Sequence, residues 1–216
     1  MITIIKNILL IFLLNILLLS KSYSIETKAT SVYVMDATSN KVLYEKNSNL
    51  RYGPASMSKL MIIYMTFERL QNGSLKLDDE LLVSRKAWKF GGSKMFVNIG
   101  DKVSINDLLK GIIIQSGNDA CIVLAEGLSG SEENMVDAIN EKTKELGLLN
   151  SNFSNVTGWP DKDHYMTARD IAHLSKLIIE VFPEYYYYFS LKSFTYNNIE
   201  QFNRNELINL EGYDGL

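Results

Sequence analysis

Residues 54–61 read PASMSKLM. Ser56 stands behind a proline and an alanine, Lys59 follows three residues later, and an apolar run opens directly after it. The periodicity predicts a helix from Ser56 to about Gln71, stopped by Asn72-Gly73. Residues three apart on a helix share a face, so this helix brings a hydroxyl and an amine together at its first turn. A serine attacks a carbonyl only when a base takes its proton. A lysine can be that base only when burial or nearby positive potential pulls its pKa down. The helix start supplies positive potential and N–H groups, and the N–H of Ser56 itself is suited to hold an oxyanion. Alone the pattern is weak: about one or two Ser-x-x-Lys matches are expected by chance, and a capping serine with a solvated lysine is spelled the same way.

A second polar group sharpens the reading. In GIIIQSGNDAC, residues 111–121, Ser116-Gly117-Asn118 interrupts two apolar helices. The first is capped by Ser104, with Asp107 helping to close its opening turn; the second spans about residues 120–128. A hydroxyl and an amide in such a break are costly to bury without partners. Ser104-Ile105-Asn106 has the same Ser-x-Asn spelling, but capping accounts for it.

Further out, residues 31–35 and 41–45 read as a hairpin around Asp36-Ala37-Thr38-Ser39-Asn40. Residues 74–100 read as irregular, with a loop at Gly91-Gly92. An amphipathic helix runs from Ser131 to Gly147, another from Thr167 to about Val181, and residues 192–199 read as a strand. Strands, then many helices, then a strand imply an α/β or α+β fold whose sheet is closed by segments far apart in sequence.

The chain has 216 residues, 46% of them hydrophobic and 22% charged, enough for one domain with a real core. Residues 1–24 read as an export signal: Lys6 gives a positive start, residues 8–19 an apolar stretch, and Ser22-Tyr23-Ser24 a small-x-small cleavage site. Asn15 breaks that stretch below the length a membrane-spanning helix needs. Cleavage after Ser24 leaves residues 25–216 and removes two lysines, so 20 basic residues face 25 acidic ones and the net charge goes from −3 to −5. That balance argues against nucleic acid as a partner. Cys121 is the sole cysteine, so an internal disulfide is excluded, and its apolar neighbours suit a packed helix position. His164 and His173 lack metal-ligand spacing; no metal and no organic cofactor are expected.

Together PASMSKLM, GGSKMF (residues 91–96) and GIIIQSGNDAC resemble the low-molecular-mass penicillin-binding proteins, the serine D-alanyl-D-alanine carboxypeptidases. The likeness extends over roughly residues 25–216, including TARD (167–170) and FNRNELI (202–208). It implies a β-lactamase/transpeptidase-like fold, with an antiparallel sheet flanked by helices plus a helical subdomain. It also implies that Ser56 is acylated, Lys59 is its base, Ser116 relays protons and Asn118 binds the substrate amide. The implied substrate is a peptidoglycan stem peptide ending in D-Ala-D-Ala, with β-lactams as covalent inhibitors and the bacterial periplasm or cell envelope as the location. Asp170 is a candidate accessory to deacylation, weighed against an ordinary helix cap; Arg204 is a candidate for approaching the cleft.

The resemblance also implies a third element, Lys-Thr-Gly on a strand, that this sequence lacks; Lys142-Thr143-Lys144 is mid-helix and no substitute. The expectation is an incomplete copy of the enzyme with little or no activity by itself, lacking the family's last sheet strands, C-terminal β domain and amphipathic membrane anchor. Losing one oxyanion donor costs roughly 2.7–4 kcal/mol in other enzymes. A class A β-lactamase needs a glutamate in the loop after Ser-x-Asn, and none lies between Glu145 and Glu180. The alternative from another class is an inactive remnant that binds peptidoglycan peptides or a partner.

Overall fold

The computed structural model describes residues 26–212; the export-signal reading of residues 1–24 lies outside them. The chain divides into two units at Thr30/Ser31. Of the first, only residues 26–30 are described, without helix or strand. Every helix and strand of the described residues belongs to the second.

Its first feature is a hairpin, β1 (Val32–Met35) and β2 (Val42–Lys46), antiparallel with a bulge at Val34/Met35. The turn is held by Asp36, whose Oδ1 accepts the Ser39 N–H at 2.7 Å and the Ser39 hydroxyl at 2.9 Å, as short acidic side chains do in tight turns. A 3-10 turn, Ala55–Ser58, leads into α1, Lys59–Gln71. Thus the predicted helix is present, but its opening turn is 3-10 and places Lys59 at the first α-helical residue. The irregular stretch predicted over residues 74–100 is partly ordered: it holds β3 (Glu80–Leu82) and α2 (Arg85–Lys89). β3 pairs with β4 (Lys102–Ser104) across some twenty residues of chain. Strands this short have too few alternating positions to stand out in sequence.

The polar break falls where predicted. α3 spans Ile105–Gln115, capped by Ser104, whose Oγ accepts the Asp107 N–H at 3.1 Å; α4 spans Asn118–Ser129. Ala120 through Ala125 are all fully buried, because α4 is enclosed by α1, α2, α3, β3 and α5 (Glu132–Glu145). Cys121 is one of these packed residues, and burial pushes its thiol up to about 12, leaving it an inert apolar filler. α6 (Ala168–Val181) starts at Thr167, which accepts the Asp170 N–H at 3.0 Å.

The predicted strand near residue 195 is half of a hairpin, β5 (Ser193–Tyr196) and β6 (Ile199–Phe202). Asn197 and Asn198 both take positive φ, 48° and 59°, the backbone of a two-residue type I′ turn. Among the described residues the strands form three separate two-stranded ribbons. The expectation that the 31–45 and 192–199 segments join one sheet is therefore corrected there: each pairs with its own sequence neighbour. Tyr185 and Tyr188 stack on Phe67 at 5.1 and 6.2 Å, and the Tyr188 hydroxyl donates to Asn106 Oδ1 at 2.7 Å. Tyr185 and Tyr188 are thus packing aromatics, whereas Tyr187, between them in sequence, is 49% exposed. No helix among the described residues is long and apolar enough to cross a membrane.

One buried base sets a pH limit on the fold. His164 is 2% exposed; its Nδ1 accepts the Ser154 N–H at 3.2 Å, and its Nε2 is buried without a partner. Burial lowers its pKa, with Asp161 opposing. The unfolded chain therefore binds this proton more readily than the fold. The stability from a neutral His164 is fully present above the unfolded value of about 6.5 and is lost as pH falls through that value toward the lower folded one. Thermal midpoints should fall between pH 7 and pH 5, with His164→Gln flattening the fall; an identical pH dependence in both proteins would contradict this.

Candidate active site

Three segments converge on Lys59. Ser56 is exposed in the 3-10 turn, whereas Lys59 is only 3% exposed. At the end of α3, Ser116 takes a left-handed conformation, φ 61° and ψ 37°. That turn aims both its carbonyl and its hydroxyl back at α1. Gly117 then redirects the chain so that Asn118 opens α4.

Lys59 Nζ lies 3.0 Å from Ser56 Oγ, 2.9 Å from Ser116 Oγ, 2.9 Å from Ser116 O and 2.7 Å from Asn118 Oδ1. The pKa of Lys59 is lowered, first by burial and then by the positive charge of Arg204; Cys121 and Asp119 act in the opposite sense. With the Cys121 thiol protonated up to about 12, the acidic influence left near neutrality is that of Asp119. The neighbour set is informative. An ammonium has three donors for four oxygens, whereas a neutral amine has two donors and one lone pair. Two of the oxygens, Ser116 O and Asn118 Oδ1, can only accept, and the two hydroxyls can donate to the lone pair. Either form of the amine makes three hydrogen bonds at a time, so the cage accepts the ammonium and, with one hydroxyl turned to donate to the lone pair, the neutral amine as well.

Asn118 is fixed on its other side. Its Nδ2 donates to Gly91 O at 2.9 Å and its backbone N–H to Ser93 O at 2.7 Å. The close approach requires glycine at residue 92: φ is +78°, and a Cβ there would lie 2.7 Å from Asn118 Nδ2 and 3.3 Å from the Trp159 ring. Trp159 meets Phe90 edge-on at 5.7 Å.

The turn before Trp159 supports the serine. Asn155 Oδ1 accepts the N–H groups of Thr157, Gly158 and Trp159 at 3.1, 2.8 and 2.9 Å. That places Gly158, φ +81°, flat against the Ala55–Ser56 peptide. Ala55 has φ +50°, a conformation costing about 1–3 kcal/mol in a non-glycine residue and kept only where the surroundings impose it. They do: its carbonyl accepts the Ser58 hydroxyl at 2.9 Å and abuts Gly158.

A cavity of about 590 Å³ opens beside Ser56, Lys59 and Ser116, walled by Leu60, Ile63, Ile113 and Phe189 and by Asn203, Arg204 and Asn205. The Arg204 backbone N–H donates to Ile114 O at 3.3 Å, joining FNRN to α3. Of the residues singled out in sequence, Ser56, Lys59, Ser116 and Asn118 are gathered here, and Arg204 lines the same cavity. Asp170 is not gathered: its Oδ2 accepts the Asn150 N–H at 3.0 Å and the Ser151 hydroxyl at 2.8 Å, a tie at the start of α6. Gly158, Trp159 and Asp119 were not singled out in sequence. Among the described residues no group of three or more His, Cys, Asp or Glu side chains is arranged to hold a metal.

Residues 19–216 match the family model of peptidase S11, D-alanyl-D-alanine carboxypeptidase. The chain belongs to this family. Among carboxypeptidase relatives, it is 43% identical over 181 residues to D-alanyl-D-alanine carboxypeptidase DacC of Escherichia coli, covering 81% of this chain and 45% of the relative. Among solved structures, penicillin binding protein 5 from Haemophilus influenzae superposes with a TM-score of 0.84 at 36% identity, over 86% of this chain and 55% of that one. Penicillin-Binding Protein D2 from Listeria monocytogenes, in its ampicillin-bound form, superposes with a TM-score of 0.79 at 25% identity, over 90% of this chain and 80% of that one. The mixed fold of helices and small antiparallel sheets is thus that of the penicillin-binding proteins. The chain spans less than half the length of the curated carboxypeptidase relative.

Proposed function

We propose that this chain carries the acylation site of a serine-type D-Ala-D-Ala carboxypeptidase. It would remove the terminal D-alanine of peptidoglycan stem peptides in the bacterial cell envelope, with β-lactams as covalent inhibitors. The observation that carries this reading is the buried Lys59 amine in contact with Ser56 Oγ, Ser116 Oγ and Asn118 Oδ1. The β-lactam part is supported by the ampicillin-bound relative, and the location by the export-signal reading of residues 1–24.

In the reaction, the Lys59 lone pair takes the Ser56 proton as Oγ attacks the carbonyl carbon of the penultimate D-alanine. The Ser56 N–H, held by the Ala55 and Gly158 contact, faces the developing oxyanion. Asn118 offers its remaining amide hydrogen to the peptide, and the Arg204 guanidinium suits the terminal carboxylate. As the C–N bond breaks, the proton on Lys59 passes through the Ser116 hydroxyl to the leaving amine. D-alanine departs and the acyl group stays on Ser56. Water, with its proton taken by the same amine, then attacks the ester carbonyl; as the C–O bond to Ser56 breaks, that proton passes to Oγ and the shortened peptide leaves.

Acid-quenched mass spectrometry of the chain mixed with a stem pentapeptide tests this. The expected product is a peptide-minus-D-alanine adduct on Ser56, absent with the D-Ala-L-Ala epimer and in Ser56→Ala. One equivalent of D-alanine without turnover would show acylation without deacylation. Peptide binding with no adduct, in a folded chain, would instead favour a non-catalytic binding protein.

A further inference from the structure

Asp119 follows Asn118 in the first turn of α4 and is 1% exposed. Its carboxylate accepts four backbone N–H groups. Oδ1 takes those of Met95 and Ala120, both at 2.9 Å; Oδ2 takes those of Phe96 at 3.0 Å and Val97 at 3.3 Å. Three of the four donors belong to residues 91–97, a loop with no helix or strand of its own. Within it Phe96 is held at φ +68°, a backbone state that a phenylalanine adopts only under outside constraint. The carbonyls of the same residues are held from the opposite side by the β5–β6 hairpin. Gln201 Nε2 donates to Met95 O at 3.2 Å, and Asn197 Nδ2 to Phe96 O at 2.8 Å.

The loop in turn holds Asn118 through the carbonyls of Gly91 and Ser93, and Asn118 Oδ1 faces Lys59 Nζ at 2.7 Å. We propose that Asp119 is a positioning residue of the acylation site: by accepting the amides of Met95, Phe96 and Val97 it fixes the loop whose carbonyls hold Asn118 against Lys59. This rests on the reading of Ser56 and Lys59 as an acylation pair. Asparagine cannot replace it, because one of its two side-chain ends would turn N–H donors toward N–H donors.

The charge has a second consequence. Lys59 on α1 is faced by Asp119 and Cys121 from α4 and by Arg204 beyond β6, and Asp119 opposes the lowering of its pKa. On β5, the Tyr196 hydroxyl is pushed up by burial and by Asp101, Asp107 and Asp119. Neutralising Asp119 removes one of the charges that oppose this lowering, so the Lys59 titration is expected to move further down.

The test compares the full chain with Asp119→Asn by residue-resolved amide exchange, Lys59 titration and the pH profile of acylation by benzylpenicillin. In the wild type, the amides of Met95, Phe96 and Val97 should exchange as slowly as those inside α4, although they lie in a loop. In the variant they should exchange at least about tenfold faster while α6 amides are unchanged, matching the usual weight of a charge-assisted hydrogen bond. Acylation should slow at least tenfold, and its low-pH limb should move to lower pH. A purely structural role would leave that limb in place and so overturn the proposal, as would fast exchange of the three amides in the wild type. If the variant does not fold, the wild-type exchange decides. If the wild type is not acylated, the proposed function fails, while exchange and the Lys59 titration still decide the role of Asp119. Acylation of both proteins at equal rates, with equal limbs, would leave the function standing and the positioning role refuted.

Discussion

Gly158→Ala should lose acylation of Ser56 by at least about a hundredfold, the usual scale for displacing a reacting group by an ångström. A Cβ on residue 158 would lie 1.9 Å from the Ala55 oxygen, 2.3 Å from its carbonyl carbon and 2.9 Å from the Ser56 nitrogen. These are backbone atoms and cannot rotate aside. The positive φ of +81° adds roughly 1–2 kcal/mol for any residue with a side chain. Relief comes only by moving the Ala55–Ser56 peptide, which carries both the nucleophile and its oxyanion N–H. Rates of β-lactam adduct formation, with thermal midpoints alongside, check this: a loss of a few degrees with collapse of acylation is expected. A wild-type rate in Gly158→Ala would show that the turn supports nothing.

The second large effect is at Lys59. Lys59→Met keeps the length and removes the base, and general-base assistance is worth about 10²–10⁴-fold. Acylation should fall by at least two orders of magnitude. Lys59→Arg should not rescue it, because a guanidinium does not lose its proton. Stability should move the other way. A buried cation is costly to desolvate, so Lys59→Met should unfold at a temperature equal to or above that of the wild type, even though Ser116 O and Asn118 Oδ1 lose a donor. In the wild type, acylation should rise with pH through a limb below the ordinary lysine value, as the lowered pKa of Lys59 requires. A Lys59→Met chain acylated at full rate would remove the lysine from the mechanism.

Much of this site was legible in the sequence because its parts are spelled locally. The Ser56 to Lys59 spacing is one helical turn, and Ser116-Gly117-Asn118 shows as a polar break between apolar runs. The caps at Ser104, Ser131 and Thr167 were legible for the same reason: each side chain accepts an N–H three residues on. What stayed hidden depends on long-range contact. Gly158 looks like any turn glycine until the Ala55 carbonyl is seen against it, more than a hundred residues away in sequence. Asp119 reads as a favourable acidic residue at a helix start, and only the fold reveals the loop wrapped over it. Its position directly behind Ser-Gly-Asn was an available hint. β3 and β4 are three residues each, too short for a period to show. β6 is hidden in the sequence although Asn197-Asn198 carries the turn signal, because residues 192–199 read as one continuous strand through that turn.

The account stands most directly on whether Ser56 is a nucleophile. The full chain should be incubated with benzylpenicillin, its intact mass followed over time, and any adduct mapped by peptide. The assembled contacts among Ser56, Lys59, Ser116 and Asn118 predict a single added penicilloyl group on Ser56, absent from Ser56→Ala. No adduct on a chain shown to be folded, or an adduct on another residue, would contradict it.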